Sequence, residues 1–257
     1  MATAEEEVSR QDALQGIGCS RKRKEDPRFV QGKGNYVDDV KMPGMLFADM
    51  VRSPYAHARI KSINKEKALA LPGVHAVLTA DDLKPLNLHW MPTLAGDVQA
   101  VLADEKVHMQ YQEVAVVIAD DRYIAADAVD LVEVEYEPLP VLVDPHKALD
   151  PDAPILREDA QDKDTVGQGP RKHPNHIFTW EQGDKAATEA VLAGADVVAE
   201  EMVYYHRTHP CPLEPCGSVA SMDKVTGKLT LYGTFQAPHA VRTVASLISG
   251  IAEHNIR

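Results

Sequence analysis

Short stretches in the first half of the chain alternate apolar and polar positions with a period of two, which predicts strands. Residues 45–52 (MLFADMVR), 58–63 (ARIKSI) and 74–79 (VHAVLT) read this way, and residues 132–137 (VEVEYE) alternate cleanly, with the apolar set turned inward. Residues 114–119 (VAVVIA) are apolar throughout, the pattern of a strand covered on both faces. Helical spacing falls between these runs. Residues 65–71 predict a short helix stopped by Pro72-Gly73, and residues 122–131, led by Asp121, predict a longer one whose alanines permit close packing. Residues 84–98 are rich in Pro, Asn and Gly and predict a loop.

The second half changes character. Residues 146–183 follow Pro145, carry Pro151, Pro154, Pro170 and Pro174 among many charges, and predict an exposed linker. Residues 184–195 then read as a helix capped by Asp184 with Ala187, Val191 and Leu192 on its apolar face, and residues 197–205 as a strand. A hairpin is predicted from residues 219–223, a Gly227-containing loop, and residues 229–235. After Pro238, Val241, Val244, Leu247, Ile248 and Ile251 recur at helical spacing. Residues 1–26 lack sustained periodicity and read as an arm, with a helical turn expected at 9–15. The mixture predicts an α+β protein with an arm (1–26), a first domain (27–145), a linker (146–183) and a second domain (184–257).

Composition narrows the function classes. The 257 residues are 44% apolar and 26% charged, enough for a sizeable core, and the formal net charge is −12. Such a balance attracts neither nucleic acid phosphates nor anionic lipid. The basic run Arg21-Lys22-Arg23-Lys24 reads as a solvated arm, and the polar, acidic start MATAEEEVSR is not a secretion signal. With no span-length apolar stretch either, the expected location is cytoplasmic, a peripheral place at the inner face of the cell membrane being the variant of that expectation.

The candidate chemistry lies between Tyr204 and Arg242. Gln236 stands where a strand empties into a helix start, a common ligand position. Its amide donates and accepts without ionising, which suits an oxo or hydroxo group whose protonation changes during a reaction. Cys19, Cys211 and Cys216 are too few for a disulfide framework. Cys211 and Cys216, even with His206 and His209 nearby, lack a second pair to complete a tetrahedral metal set, so buried free thiols are expected. His173 and His176 lack a third ligand, His57 lacks an orienting partner and reads as a packing residue, and Gly32-Lys33-Gly34 reads as a tight turn rather than a nucleotide loop. No metal-ligating residue is assigned.

The run TFQAPHAVR, with RTHPCPLEPCGSVA upstream, resembles the molybdenum hydroxylases: xanthine dehydrogenases, aldehyde oxidases and aerobic carbon monoxide dehydrogenases. GKGNYVDDVKMPGMLFADMVRSPYAHARI and VAVVIADDRYIAADAVDLVEVEYEPLPVLVD resemble the a/b hammerhead domain that begins their large subunit. Residues from about 15 to 257 are most similar to the large chains of the carbon monoxide dehydrogenases, although Pro215, after Glu214, stands where those chains often carry Thr. The resemblance implies a hammerhead-like domain followed by the start of a molybdopterin-binding domain. It implies oxidation of carbon monoxide with water to carbon dioxide at a molybdopterin cytosine dinucleotide bearing molybdenum, bridged to copper. Gln236 is implied to be catalytic and, with Phe235, cofactor-binding, and Glu214 is expected to be a structural carboxylate rather than a general base. The implied partners are a medium FAD-binding subunit, a small [2Fe-2S] subunit and the rest of a large subunit that supplies the cofactor loop and the copper ligand. The chain alone is therefore expected to be inactive, as a truncated or split subunit. Two alternatives are a related hydroxylase acting on an aldehyde or N-heterocycle, and a non-catalytic assembly module.

Overall fold

A computed structural model of the chain describes residue 17 and residues 22–93, 98–158, 173–177 and 179–257. The expected turn at 9–15 and Cys19 lie outside these. The described chain has helix α1 (Asp26–Phe29), strands β1 (Phe47–Arg52) and β2 (Ala58–Asn64), helix α2 (Glu66–Leu69), strand β3 (Val74–Thr79) and helix α3 (Ala80–Leu83). Strands β4 (Trp90–Pro92), β5 (Val98–Ala100), β6 (Lys106–Val107) and β7 (Glu113–Ala119), helix α4 (Arg122–Leu131) and strand β8 (Glu133–Pro138) follow. Helix α5 (Lys185–Ala193), strands β9 (Ser218–Met222) and β10 (Leu229–Gly233) and helix α6 (Pro238–Ser249) complete it. The described residues form two compact units: a smaller one of those up to Lys41 with Pro212–Val219 and Tyr232–Thr234, and a larger one of the other described residues.

In the larger unit β7 is the middle of an antiparallel sheet ordered β1-β7-β3, with Met50 opposite Val116 on one side and Leu78 opposite Val116 on the other. Its unbroken apolar run fits that place, because a middle strand covered on both faces has no solvent side to keep polar. Helix α4 packs on β1 and β7 through Ala125 and Ala128, both essentially inaccessible, and small side chains let helix and sheet approach closely. The helix begins where Asp121 Oδ1 accepts the amides of Tyr123 and Ile124, both at 2.8 Å. Val51, Val77, Ala115, Val117 and Val132 join Ala68 of α2 in one core cluster.

A second antiparallel sheet, ordered β6-β2-β8, carries its own cluster of Ala58, Ala103, Val107 and Val114, flanked by Tyr136. The helix read at 65–71 is a single turn, α2, followed by Pro72-Gly73, where Gly73 adopts φ +90°.

Two expectations are corrected. Residues 84–98 are not simply a loop: a 3-10 turn (Lys84–Leu86) follows α3, and β4 pairs with β5, Trp90 opposite Ala100. Strands of three residues are too short for alternation to register, and Asn87, left-handed at φ 56°, ends the preceding turn while its Oδ1 accepts the Trp90 indole N–H at 3.2 Å. Residues 197–205 are not a strand. Their composition favours one, but a strand exists only through a ladder partner, and among the described residues none pairs with them.

Helix α5 forms as expected, Asp184 Oδ1 accepting the Ala187 amide at 2.9 Å, yet Val191 and Leu192 remain exposed. No helix among the described residues is long and apolar enough to cross a membrane.

Candidate functional site

The hairpin β9–β10 is closed by Asp223. Its carboxylate accepts the Thr226 hydroxyl at 2.6 Å and the amide of Val225 at 2.9 Å, and Gly227 takes the left-handed φ of 69° that lets the chain reverse. These hydrogen bonds, the Thr226 hydroxyl first, hold the Asp223 carboxyl below its ordinary pKa. At the open end, the Thr234 amide donates to the Gly217 carbonyl at 3.2 Å and the Gly217 amide to Thr234 Oγ1 at 3.0 Å. Strand β10 therefore stops at Gly233, two residues short of the predicted end, and Phe235 and Gln236 are released from the ladder.

Helix α6 starts immediately afterwards. Pro238 occupies its first turn, where a missing amide costs nothing, and Ala237 at the N-cap offers no side-chain acceptor. Gln236 is exposed, Phe235 is 37% exposed, and the described residues give the Gln236 amide no hydrogen-bond partner. The junction thus presents a neutral amide beside a helix N-terminus that lacks a side-chain cap, and both favour an electron-rich oxygen. A cofactor that presents an oxo or hydroxo oxygen would find here a neutral amide able to donate to it.

Glu214 sits apart from that junction in sequence and has a structural partner. Its Oε1 accepts the amide of Val37 at 2.8 Å, at the start of a 3-10 turn (Val37–Asp39) within the smaller unit. The 177-residue separation left no signal in the sequence. His57, 5% exposed, pins the chain after β8: its Nδ1 donates to the Pro140 carbonyl at 2.6 Å, which supports the packing role. The buried Lys106, 8% exposed, pairs with Glu158 at 3.1 Å; a lysine in an otherwise ordinary run gave no hint of burial.

Other candidates do not converge. Cys211 and Cys216 are free but exposed, correcting the expectation of buried thiols: the contact of this stretch with Val37 is made by Glu214, and it leaves both thiols uncovered. His173 Nδ1 accepts the Asn175 amide at 3.1 Å and His176 Nε2 meets Thr179 Oγ1 at 3.0 Å, so both serve local turns. Among the described residues no three His, Cys, Asp or Glu side chains are grouped to hold a metal ion. Gly32 turns at φ 68° and the ring of Phe29 stacks on that of Tyr36 at 6.4 Å, which bears out the tight-turn reading. A cleft lined by Asp223, Lys228, His254 and Arg257 lies at the closed end of the hairpin, the opposite end of β10 from Gln236.

An α+β domain of two small antiparallel sheets followed by a hairpin that feeds an uncapped helix is matched by two sequence profiles. Residues 31–140 match the a/b hammerhead domain of aldehyde oxidase and xanthine dehydrogenase, and residues 169–257 match the molybdopterin cofactor-binding domain. Together these cover well over half of the chain, which belongs to the aldehyde oxidase and xanthine dehydrogenase family.

Within it, the chain is 71% identical over 97% of its length to the carbon monoxide dehydrogenase large chain of Afipia carboxidovorans. It is 65% identical over 100% of its length to the corresponding large chain of Hydrogenophaga pseudoflava. A crystal structure of a Cu,Mo-CO dehydrogenase in its carbon monoxide-reduced state superposes with a TM-score of 0.82 over 95% of the chain at 71% identity. The chain spans about a third of these relatives, 31% and 32% of the two large chains.

Proposed function

We propose that this chain forms part of the molybdenum subunit of a carbon monoxide dehydrogenase, which oxidises carbon monoxide with water to carbon dioxide, two protons and two electrons. The observation that carries the reading is the 71% identity, maintained over 97% of the chain, to a carbon monoxide dehydrogenase large chain. On this reading residues 27–145 are the hammerhead-like domain, 146–183 a linker, and 184–257 part of the cofactor-binding domain. A molybdopterin cytosine dinucleotide bearing molybdenum, together with copper held by a residue outside this chain, would supply the two-electron oxidation. The electrons would pass to [2Fe-2S] and FAD groups in a small and a medium partner subunit.

Gln236 is the residue of this chain assigned to that chemistry, with Phe235 beside it as a cofactor contact. Its amide N–H can hold an oxygen by donation, and its carbonyl can accept from a bound water. Because the amide does not ionise at working pH, its contact persists while neighbouring oxygens gain or lose protons. The N-terminus of α6 adds a partial positive charge on the same side of the chain. Both act by orientation and electrostatics.

The test is substitution in the assembled enzyme, this chain being expressed with the remaining large-subunit polypeptide and both partner subunits. Gln236→Ala is expected to lower kcat for carbon monoxide by about 10²-fold, the scale of losing one preorganised donor, while molybdenum content by metal analysis stays unchanged. Unchanged turnover would remove Gln236 from the site. Oxidation of aldehydes or N-heterocycles in place of carbon monoxide would move the protein to another branch of the family.

A further inference from the structure

Strands β2 and β6 pair Ala58 with Val107 and Arg59 with Lys106, and Ala58 and Val107 belong to the core cluster that this sheet carries. Alternation therefore sets Arg59 and Lys106 on the outer face. His57 precedes Ala58, and its carbonyl still accepts the Leu139 amide at 3.0 Å, so the same alternation brings it to that face as a diagonal neighbour of Lys106. Both residues are more than nine-tenths buried there, at 5% and 8% exposure.

Each carries a buried nitrogen that no hydrogen bond among the described residues satisfies: His57 Nε2 and Lys106 Nζ. Lys106 Nζ approaches Glu158 Oε2 at 3.1 Å, but the contact is an ion pair without hydrogen-bond alignment. The Lys106 ammonium holds the Glu158 carboxyl below its ordinary pKa, and His57 lies within electrostatic reach of the same carboxyl. Ammonium and imidazole thus flank one carboxylate without bonding to each other.

The tautomer decides which species fits between them. The Pro140 carbonyl can only accept, so at 2.6 Å it takes the proton of His57 Nδ1, and in the neutral ring Nε2 is left with a lone pair. An anion would face that lone pair and the Glu158 carboxylate, and a cation would face the Lys106 ammonium. A small neutral molecule that both accepts and donates meets neither objection. We propose that His57 Nε2 and Lys106 Nζ hold a buried water molecule, its oxygen accepting from the ammonium, one proton given to Nε2 and the other to Glu158. About three polar partners are the usual complement of an internal water. The water ties Glu158 to sheet β6-β2-β8 through His57 as well as through Lys106. It uses none of the residues assigned to carbon monoxide oxidation and stands independently of that reading.

The test is the electron density of this chain, crystallised within the assembled enzyme from chloride-free and from bromide-containing solutions. A water peak at about 3 Å from both nitrogens is expected, with no anomalous bromide signal at that point. On the 15N-labelled chain at about pH 8.5, where histidine rings are ordinarily neutral, NMR should find the ring proton of His57 on Nδ1. Lys106→Met keeps the length of the side chain without a donor, and His57→Phe keeps a ring without an acceptor. Occupancy of the peak should fall at least about twofold in each, since each leaves the water one partner short. Absence of the peak in the parent overturns the proposal, as do bromide in its place, a ring proton on Nε2 in the alkaline chain, or a water that keeps full occupancy in both variants. The first three outcomes are read on the parent protein, so a variant that fails to fold leaves the test intact.

Discussion

The reading of Glu214 as a structural carboxylate predicts a local, measurable loss. Its Oε1 accepts the Val37 amide at 2.8 Å in a half-buried setting, at the start of the 3-10 turn. Hydrogen bonds to charged acceptors contribute about 1.5–3 kcal/mol, and partial exposure places this one at the lower end, about 1.5 kcal/mol. Glu214→Ala should therefore speed exchange of the Val37 amide by about tenfold, since about 1.4 kcal/mol is one decade. Glu214→Gln keeps an acceptor oxygen of similar reach and should cost about half as much in free energy. The assay is residue-resolved hydrogen exchange by NMR on the chain alone, with amides of β7 as internal controls that should not change. If Val37 exchanges at the parental rate in Glu214→Ala, the hydrogen bond contributes nothing and the structural role fails. If Glu214→Gln leaves Val37 protected yet abolishes turnover of the assembled enzyme, the side chain serves the chemistry instead.

Two further predictions concern the larger unit. Asp121→Ala removes the acceptor for two helix amides and should destabilise α4 and the sheet beneath it by about 1 kcal/mol, read as a lower urea midpoint at unchanged slope. Asp82 is held below its ordinary pKa first by the Lys65 ammonium at 2.8 Å and then by the Thr79 amide, so its folded-state pKa lies under the unfolded value of about 4. Its contribution is then fully present above about pH 4 and is lost as pH falls through the lower folded value. Asp82→Asn should accordingly be less stable than the parent at pH 7, with the difference shrinking towards pH 3; a difference independent of pH would show that the carboxylate charge is not the cause.

Much of the fold was legible because local physics and packing agree. The periods of two and 3.6 mark β1, β2, β3, β7, β8 and α4 close to their observed bounds, and Asp121 and Asp184 each cap the helix they precede. Asp223 and Gly227 specify a reversal through contacts four residues apart or fewer, so the hairpin needs no distant help. The position of Gln236 between strand and helix follows from the same local logic, with Pro238 marking the helix start. What local pattern could not supply was partnership. Whether VVAEEMVYY is a strand depends on a neighbour to pair with, and whether Cys211 and Cys216 are buried depends on something to cover them.

The amino-acid order by itself determined which segments have helical or extended preference, where the chain turns, and the family whose letters it shares. Tertiary structure alone decided that β7 sits between β1 and β3, that Glu214 meets Val37, and that Lys106 is buried against Glu158. The division has one cause. Turns, caps and periodicity are set by interactions within a few residues, whereas burial and pairing join positions whose separation along the chain leaves no periodic trace.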